Sequence, residues 1–197
     1  MIKLDLLMQS GAEIRELHKN EIVFSVDHYP THYYQVLEGK IKMNNYNEDG
    51  KEFIQNIFTV GQSFGEPPLF IDEPYPASAV AVTNATVVQL KKGNFYEMLK
   101  KYPETSLAVT QSLARRLYYK SVMAPEISSQ DPEKRILTLI DYMKEHQSID
   151  LTKDFLVPLT RQQLADLTGL RVETVIRTVK QLEKREQLKI IAGKVYR

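Results

Sequence analysis

The 197-residue sequence contains no cysteine, which excludes disulfides, cysteine-ligated zinc and cysteine-bound iron–sulfur clusters. No apolar run approaches the roughly 20 residues of a membrane-spanning helix, so no membrane partner is expected. The opening MIKLDLLMQSGAEIRELHK has no apolar core followed by a small-residue cleavage site. Secretion is therefore not indicated, and a cytoplasmic protein is expected. No Gly-rich phosphate loop, HExxH pattern or Ser/His/Asp triad is present, which leaves an enzyme with little support. Net charge is nearly absent too, +1 at pH 7. That balance hides an asymmetry: Pro158 to Arg197 holds nine Lys/Arg against four Asp/Glu, a balance of +5, while the rest of the chain carries −4. A small basic C-terminal domain beside a mildly acidic N-terminal one suits nucleic acid at one end only.

The remaining composition, 43% hydrophobic and 26% charged, is that of an ordinary globular chain able to bury a core. The first ~20 residues read as a helical lead-in. β signals then take over in EIVFSV (21–26), YYQVL (33–37), KIKMNNY (40–46), EFIQNIF (52–58), ASAVAV (77–82) and TVVQLKK (86–92). Glu38-Gly39, Asn47 to Gly50, and Thr83-Asn84-Ala85 supply the turns between them, and Gly61 and Gly65 punctuate the stretch between the fourth and fifth runs. Many short strands at this spacing predict a jelly roll or small barrel. NFYEMLKKY (94–102) reads as a short helix stopped before Pro103, and Glu104 to about Met123 as a long one. Its apolar stripe packs on its own β domain, pairs with a second copy, or does both. Pro125 is expected to interrupt or kink it. Ser128-Ser129-Gln130 reads as a hinge, and Asp131-Pro132-Glu133 as a helix start with an acidic N-cap and proline at the first position. ILTLIDYM (136–143) forms the next helix, and a loop through 147–157 follows. The expected divisions are a β domain over 1–103, a central helix and hinge over 104–130, and a C-terminal domain over 131–197.

Pro158 to Leu188 carries the most specific pattern. Thr160-x-x-Gln163 is a capping box, and Gly169 supplies a sharp turn between two helices. Leu164, Ala165 and Leu167 give the first helix its apolar contacts, and small Ala165 permits close approach of the second. Along the second helix Val175, Val179 and Leu182 recur at core spacing, while Glu173, Ile176, Arg177 and Lys180 fall on another face. One face can bury, and the other presents an acid, bases and an apolar contact, as a DNA recognition helix requires. Arg171 is a poor N-cap for that helix. LKIIAGKVYR (188–197) can turn a short hairpin at Ala192-Gly193, making a winged helix-turn-helix.

These blocks, in order, resemble the cAMP receptor protein/FNR (Crp/Fnr) superfamily of bacterial transcription regulators. The resemblance rests on YYQVLEGKIKM, GQSFGEPPLF and PYPASAVAV in the β domain, SLARRL in the long helix, and LTRQQLADLTGLRVETVIRTVKQLE at the C-terminus. It implies an α+β protein: an N-terminal cyclic-nucleotide-binding-like β-roll sensor domain, a long central dimerisation helix and a C-terminal winged helix-turn-helix. It also implies a homodimer on a palindromic operator in double-stranded DNA. The family's base-reading Glu and Arg match Glu173 and Arg177; carboxylate accepts from cytosine N4, and guanidinium binds guanine O6 and N7. Val172 stands where the cAMP receptor protein has arginine, as in FNR-like members. With Ile176 it suits thymine methyls and a TTGA-like half-site. Thr160, Arg161 and Lys180 are expected at phosphates.

The sensor end departs from the pattern. Gly65-Glu66 are present, but Pro76-Ala77 replace the Arg-Ser pair that grips a cyclic phosphate. Without that guanidinium a buried phosphate loses its bidentate anchor. cAMP is therefore not expected in the usual manner, and Glu66 is expected to be structural. Lys120 and Ser121 occupy the central-helix positions that touch the base in the cAMP receptor protein, and only the serine agrees. Phe64, Gly65, Glu66, Ala77, Ser78, Tyr118 and Ser121 are the candidate effector-pocket residues. Tyr118-Tyr119 either face Phe64, Leu69 and Phe70 across such a pocket or pack between helix and roll. A small-molecule effector is left open, an FNR-type iron–sulfur sensor is excluded, and RNA polymerase is a partner if the regulator activates. One rival reading is a cAMP-dependent regulator. Another is a metal-dependent cupin-like enzyme using His28, His32 and Glu38, although their spacing reads as surface histidines.

Overall fold

In the computed structural model, which describes residues 2–50, 52–129, 131–147 and 154–197, helix α1 (Leu4–Gln9) leads into strands β1 (Glu13–Leu17), β2 (Ile22–Phe24), β3 (His32–Glu38), β4 (Ile41–Tyr46), β5 (Glu52–Phe58) and β6 (Ser63–Phe64). Helix α2 (Glu66–Ile71), strands β7 (Ser78–Ala81) and β8 (Ala85–Lys91), and helices α3 (Lys92–Lys101) and α4 (Pro103–Ser129) follow. The strands form two four-stranded antiparallel sheets, ordered β1-β8-β3-β6 and β2-β7-β4-β5. Alternation along β3 and β8 gives the first sheet two covered faces. Tyr34, Val36 and Val87 turn inward and join Phe24, Ile41, Phe58 and Phe64 in a core shared by both sheets. Tyr33, Val88 and Leu90 turn outward and pack with Leu7, Phe95, Met98 and Val109 from the helices. Each fully buried Leu, Val or Phe contributes roughly 1.5–3 kcal/mol of hydrophobic stabilisation.

The N-terminal lead-in is helical only over Leu4–Gln9. Glu13–Leu17 is a strand because it pairs with β8, Leu17 opposite Ala85, and buries Leu17 in the inner core. That long-range pairing overrides the local helical pattern. The two-residue β6 and the short α2 also escape the sequence pattern.

The chain divides into two compact units, Met1–Arg115 and Arg116–Arg197, with the division falling inside α4. In the first unit Val109 and Leu113 of α4 pack against the roll's outer core. In the second, Met123 and Tyr119 join the core of the C-terminal helices. Pro125 does not interrupt α4, which runs on to Ser129. Proline there removes one bond near the helix end, buried Met123 anchors the preceding turn, and the Glu126 carbonyl accepts from Arg135 Nε at 3.2 Å. Ser128 and Ser129 are accordingly helical rather than a loop hinge; Gln130 lies outside the described residues.

The second unit contains α5 (Pro132–Gln147), α6 (Arg161–Thr168), α7 (Val172–Lys184) and a hairpin of β9 (Lys189–Ile191) and β10 (Lys194–Tyr196). Asp131 caps α5, its Oδ1 accepting from Glu133 N at 2.9 Å. Within the expected 147–157 loop, Gln147 closes α5 and 148–153 lie outside the described residues. Val157 N then donates to Val195 O, and Phe155 and Arg197 exchange backbone bonds, so this segment lines the wing. Arg197 fixes the wing's end to α5 through a two-point pair with Asp141 (2.6 and 3.0 Å). Arg135 Nη1 ties α5 to the end of α6 through Thr168 O at 3.3 Å. The sum is the α+β architecture expected: antiparallel roll, long helix and winged helix-turn-helix.

Candidate nucleic-acid interface and the roll's inner corner

The helix-turn-helix is built as its residues dictate. Thr160 Oγ1 accepts from Gln163 N at 3.1 Å while Thr160 N donates to Gln163 Oε1 at 2.9 Å, so both bonds of the capping box form. Gly169 ends α6 at φ 69°, a left-handed conformation that disfavours side chains. Leu170 N donates back to Ala165 O at 3.0 Å. Ala165, Val175, Val179 and Leu182 are buried in one core, and Leu170 packs against it. Arg171 makes no side-chain cap, so α7 begins without that support.

With its inner face fixed, α7 turns Glu173, Ile176, Arg177 and Lys180 into solvent; Val172, at its first turn, is half-buried. Thr178, between Arg177 and Val179, is buried instead. Thr160 is exposed, and its capping oxygen still has a proton to donate. Arg161 is half-buried and donates through Nη2 to the Gly193 carbonyl at the wing tip, 3.5 Å away. Burial pulls its guanidinium down from its ordinary value, with the Glu183 carboxylate opposing. At the wing tip Ala192 and Gly193 both take positive φ, 48° and 78°, the conformation of a two-residue hairpin turn. Two groups the sequence pattern did not single out stand beside this face. Gln181 and Arg185 share an open cleft of about 550 Å³ with Arg177, Thr178 and the start of α5. Their spacing of four and eight residues from Arg177 was the available signal.

At the roll, Phe64 and Ala77 are fully buried in the inner core and Glu66 is fully buried at the start of α2. Ser78 Oγ accepts from Val26 N at 3.0 Å. Asn45 Nδ2 donates to the Pro76 carbonyl at 2.6 Å. Gly65 takes φ 77°, and the rings of Phe24 and Tyr75 lie so close over it that a Cβ would meet them at 3.0 and 3.2 Å. Those two rings stack at 3.6 Å with an interplanar angle of 9°. Burial first, then Tyr34 and Glu66, push the Tyr75 phenol well above its ordinary range. The Gly65-Glu66 corner is therefore covered by the chain's own aromatics.

Tyr118 and Ser121 belong to the second unit, on α4, and both are exposed; Ser121 Oγ donates to Leu117 O at 3.0 Å. Tyr119 packs on Tyr142 of α5, ring centroids 4.4 Å apart. Its phenol is pushed up to about 12 by burial, with Tyr142 adding to it. Phe64 belongs to the inner core and Leu69 to the outer one. His28 and Glu38 are exposed, and among the described residues no group of three His, Asp or Glu is placed to hold a metal. No described helix is long and apolar enough to cross a membrane.

Residues 14–102 match the cyclic nucleotide-binding domain family, and residues 134–196 the Crp-like helix-turn-helix domain family. The chain is 29% identical to the cAMP-activated global transcriptional regulator CRP of Haemophilus influenzae over 168 residues, covering 84% of this chain and 74% of that one. It is 25% identical to the nitrogen fixation regulation protein FixK of Bradyrhizobium diazoefficiens over 194 residues, covering 93% and 81%. Among solved structures, FixK2 from Bradyrhizobium japonicum superposes with a TM-score of 0.77 at 19% identity, over 94% of this chain and 91% of that one.

Proposed function

Because the chain belongs to the Crp/Fnr superfamily of bacterial transcription regulators and is a DNA-binding regulator of that type rather than an enzyme, we propose that it acts in the cytoplasm as a homodimer that reads a palindromic operator with one α7 per half-site. The observation that carries this reading is the division of α7: Val175, Val179 and Leu182 are buried, while Glu173, Ile176, Arg177 and Lys180 are exposed. Glu173 and Arg177 read a C·G pair, Val172 and Ile176 meet thymine methyls in a TTGA-like half-site, and Thr160, Arg161 and Lys180 hold phosphates. The two half-sites lie about one helical turn apart, ~34 Å.

Dimerisation is supported by a feature of α4. Leu107, Thr110, Ala114, Leu117, Ser121, Ala124 and Ser128 are all exposed and spaced alternately three and four residues apart. That is the seam spacing of a two-stranded coiled coil. Leucines supply its apolar contacts, and alanines and serines permit close approach. Signals from the roll, where they exist, pass to the DNA heads through this helix and the segment around 128–131, and an activating role would add contact with RNA polymerase.

The effector is not cAMP in the usual mode. Pro76-Ala77 lack the phosphate-gripping guanidinium, and Phe24 and Tyr75 cover Gly65. Retention of Gly65-Glu66 favours the second reading, a cAMP-dependent regulator. Binding of purified protein to a selected palindromic duplex, with and without cAMP, separates the two. Tight binding indifferent to cAMP supports the first; strong dependence on cAMP overturns it.

A further inference from the structure

We infer that Arg185 is a positioning residue for base readout, because by holding Glu133 it keeps that carboxylate off Arg177. The inference rests on the base-reading role proposed for Arg177. Arg177, Gln181 and Arg185 are spaced four residues apart and so share one face of α7. With Thr178 they form one wall of the open cleft, and Asp131, Pro132 and Glu133 form the other. Two carboxylates and two guanidiniums thus line one cleft. Asp131 is spent on the helix start, its Oδ1 accepting from Glu133 N and Lys134 N at 2.9 and 3.4 Å. The Glu133 carboxylate has Arg185 as its partner, Oε2 accepting from Nη1 at 2.7 Å.

The choice of partner matters for what Arg177 can do. Guanine O6 and N7 engage the same fork of N–H donors that a carboxylate takes up. A Glu133 released from Arg185 faces Arg177 as the other cation of the cleft, and DNA must then displace it before the base is read. Arg185, at the C-terminal end of α7 two turns beyond Arg177 and 62% exposed, is the group that holds Glu133, itself 29% exposed. Neither residue has to touch a base for this to act on specificity.

The test uses the full chain and two labelled duplexes, the selected operator and one with the Arg177-read G·C pair exchanged. The ratio of the two dissociation constants measures discrimination, and a uniform change in phosphate binding leaves it untouched. Arg185→Ala is expected to lower the ratio about two- to fivefold, the scale of one exposed ion pair. Glu133→Gln alone keeps the wild-type ratio, and Arg185→Ala combined with Glu133→Gln restores it. Weaker binding to both duplexes with an unchanged ratio makes Arg185 a phosphate contact and overturns the inference. A lowered ratio that persists in the double variant overturns it as well, since the defect is then structural. Arg185→Gln gives the same reading should the alanine variant melt early. A wild-type ratio near one removes the base-reading role of Arg177 and this inference with it, whereas failure of the inference alone leaves that ratio high.

Discussion

On α7, Glu173, Ile176, Arg177 and Lys180 stand in solvent over a buried floor of Val175, Val179 and Leu182. At the Gly65-Glu66 corner of the roll, Phe24 and Tyr75 close over the backbone and Glu66 is wholly buried. The same chain thus keeps one of these places open and covers the other. Polar groups held out on a rigid helix cost little stability and stay available to an outside partner. Rings stacked into a corner add stability and cover the backbone beneath them. The difference predicts that substitutions at the two places trade stability and binding in opposite proportions.

The largest effect on stability is expected at the closed corner. Phe24→Ala removes a ring that stacks on Tyr75 at 3.6 Å and sits within 6.0 Å of Tyr34 and Phe64. Lost transfer energy and the cavity left behind together cost about 3–5 kcal/mol, read as a lower urea midpoint. Operator discrimination measured on the folded fraction should hold. Loss of discrimination in that variant would mean that the corner and the DNA head are coupled, which breaks the contrast.

At the open face the proportions reverse. Arg177→Ala and Glu173→Ala remove exposed side chains, so the melting transition should barely move. Each should lose about 1–3 kcal/mol of discrimination at the G·C pair of the half-site, measured by titrating matched and exchanged duplexes. Unchanged discrimination in both variants would remove the base-reading assignment.

The same contrast explains what could be read in advance. Thr160-x-x-Gln163, Gly169 and the alternation of Val175 and Val179 with Glu173 and Arg177 are local signals, closed within a few residues, and the structure realises them in place. The closed corner is not local: Phe24 and Tyr75 meet over Gly65 from three separate stretches of the chain. The sequence marks the missing arginine at Pro76 but not the rings that fill the space. β1 is a strand for the same reason, since Glu13–Leu17 becomes one only by pairing with β8. Pro125 sits inside an unbroken α4 for a similar reason: buried Met123 and Arg135, which donates to the Glu126 carbonyl, hold the helix end and are no part of the local proline signal.

A smaller effect is expected where the open face meets its scaffold. Thr160→Ala removes the capping oxygen that accepts from Gln163 N at 3.1 Å. It should cost about 1 kcal/mol of stability, with operator affinity falling through the loss of a phosphate donor rather than through discrimination. A change in discrimination comparable to that of Arg177→Ala would show that the cap also sets the pose of α7.

The smallest effect lies in β3 of the roll. His32 is half-buried beside Thr31, with Oγ1 and Nδ1 2.9 Å apart. Burial lowers its pKa from the ordinary 6.5, with Lys91 adding to this and Glu13 opposing it. The folded protein therefore binds this proton less readily than the unfolded chain does. As pH falls through about 6.5 the unfolded state gains the proton first. The part of the stability that depends on neutral His32 is thus fully present at higher pH and declines on acidification. Denaturant midpoints between pH 8 and pH 5 should fall less steeply in His32→Gln than in wild type, while operator discrimination at constant ionic strength stays the same in both. Equal slopes would place the acid sensitivity of the roll in groups other than His32.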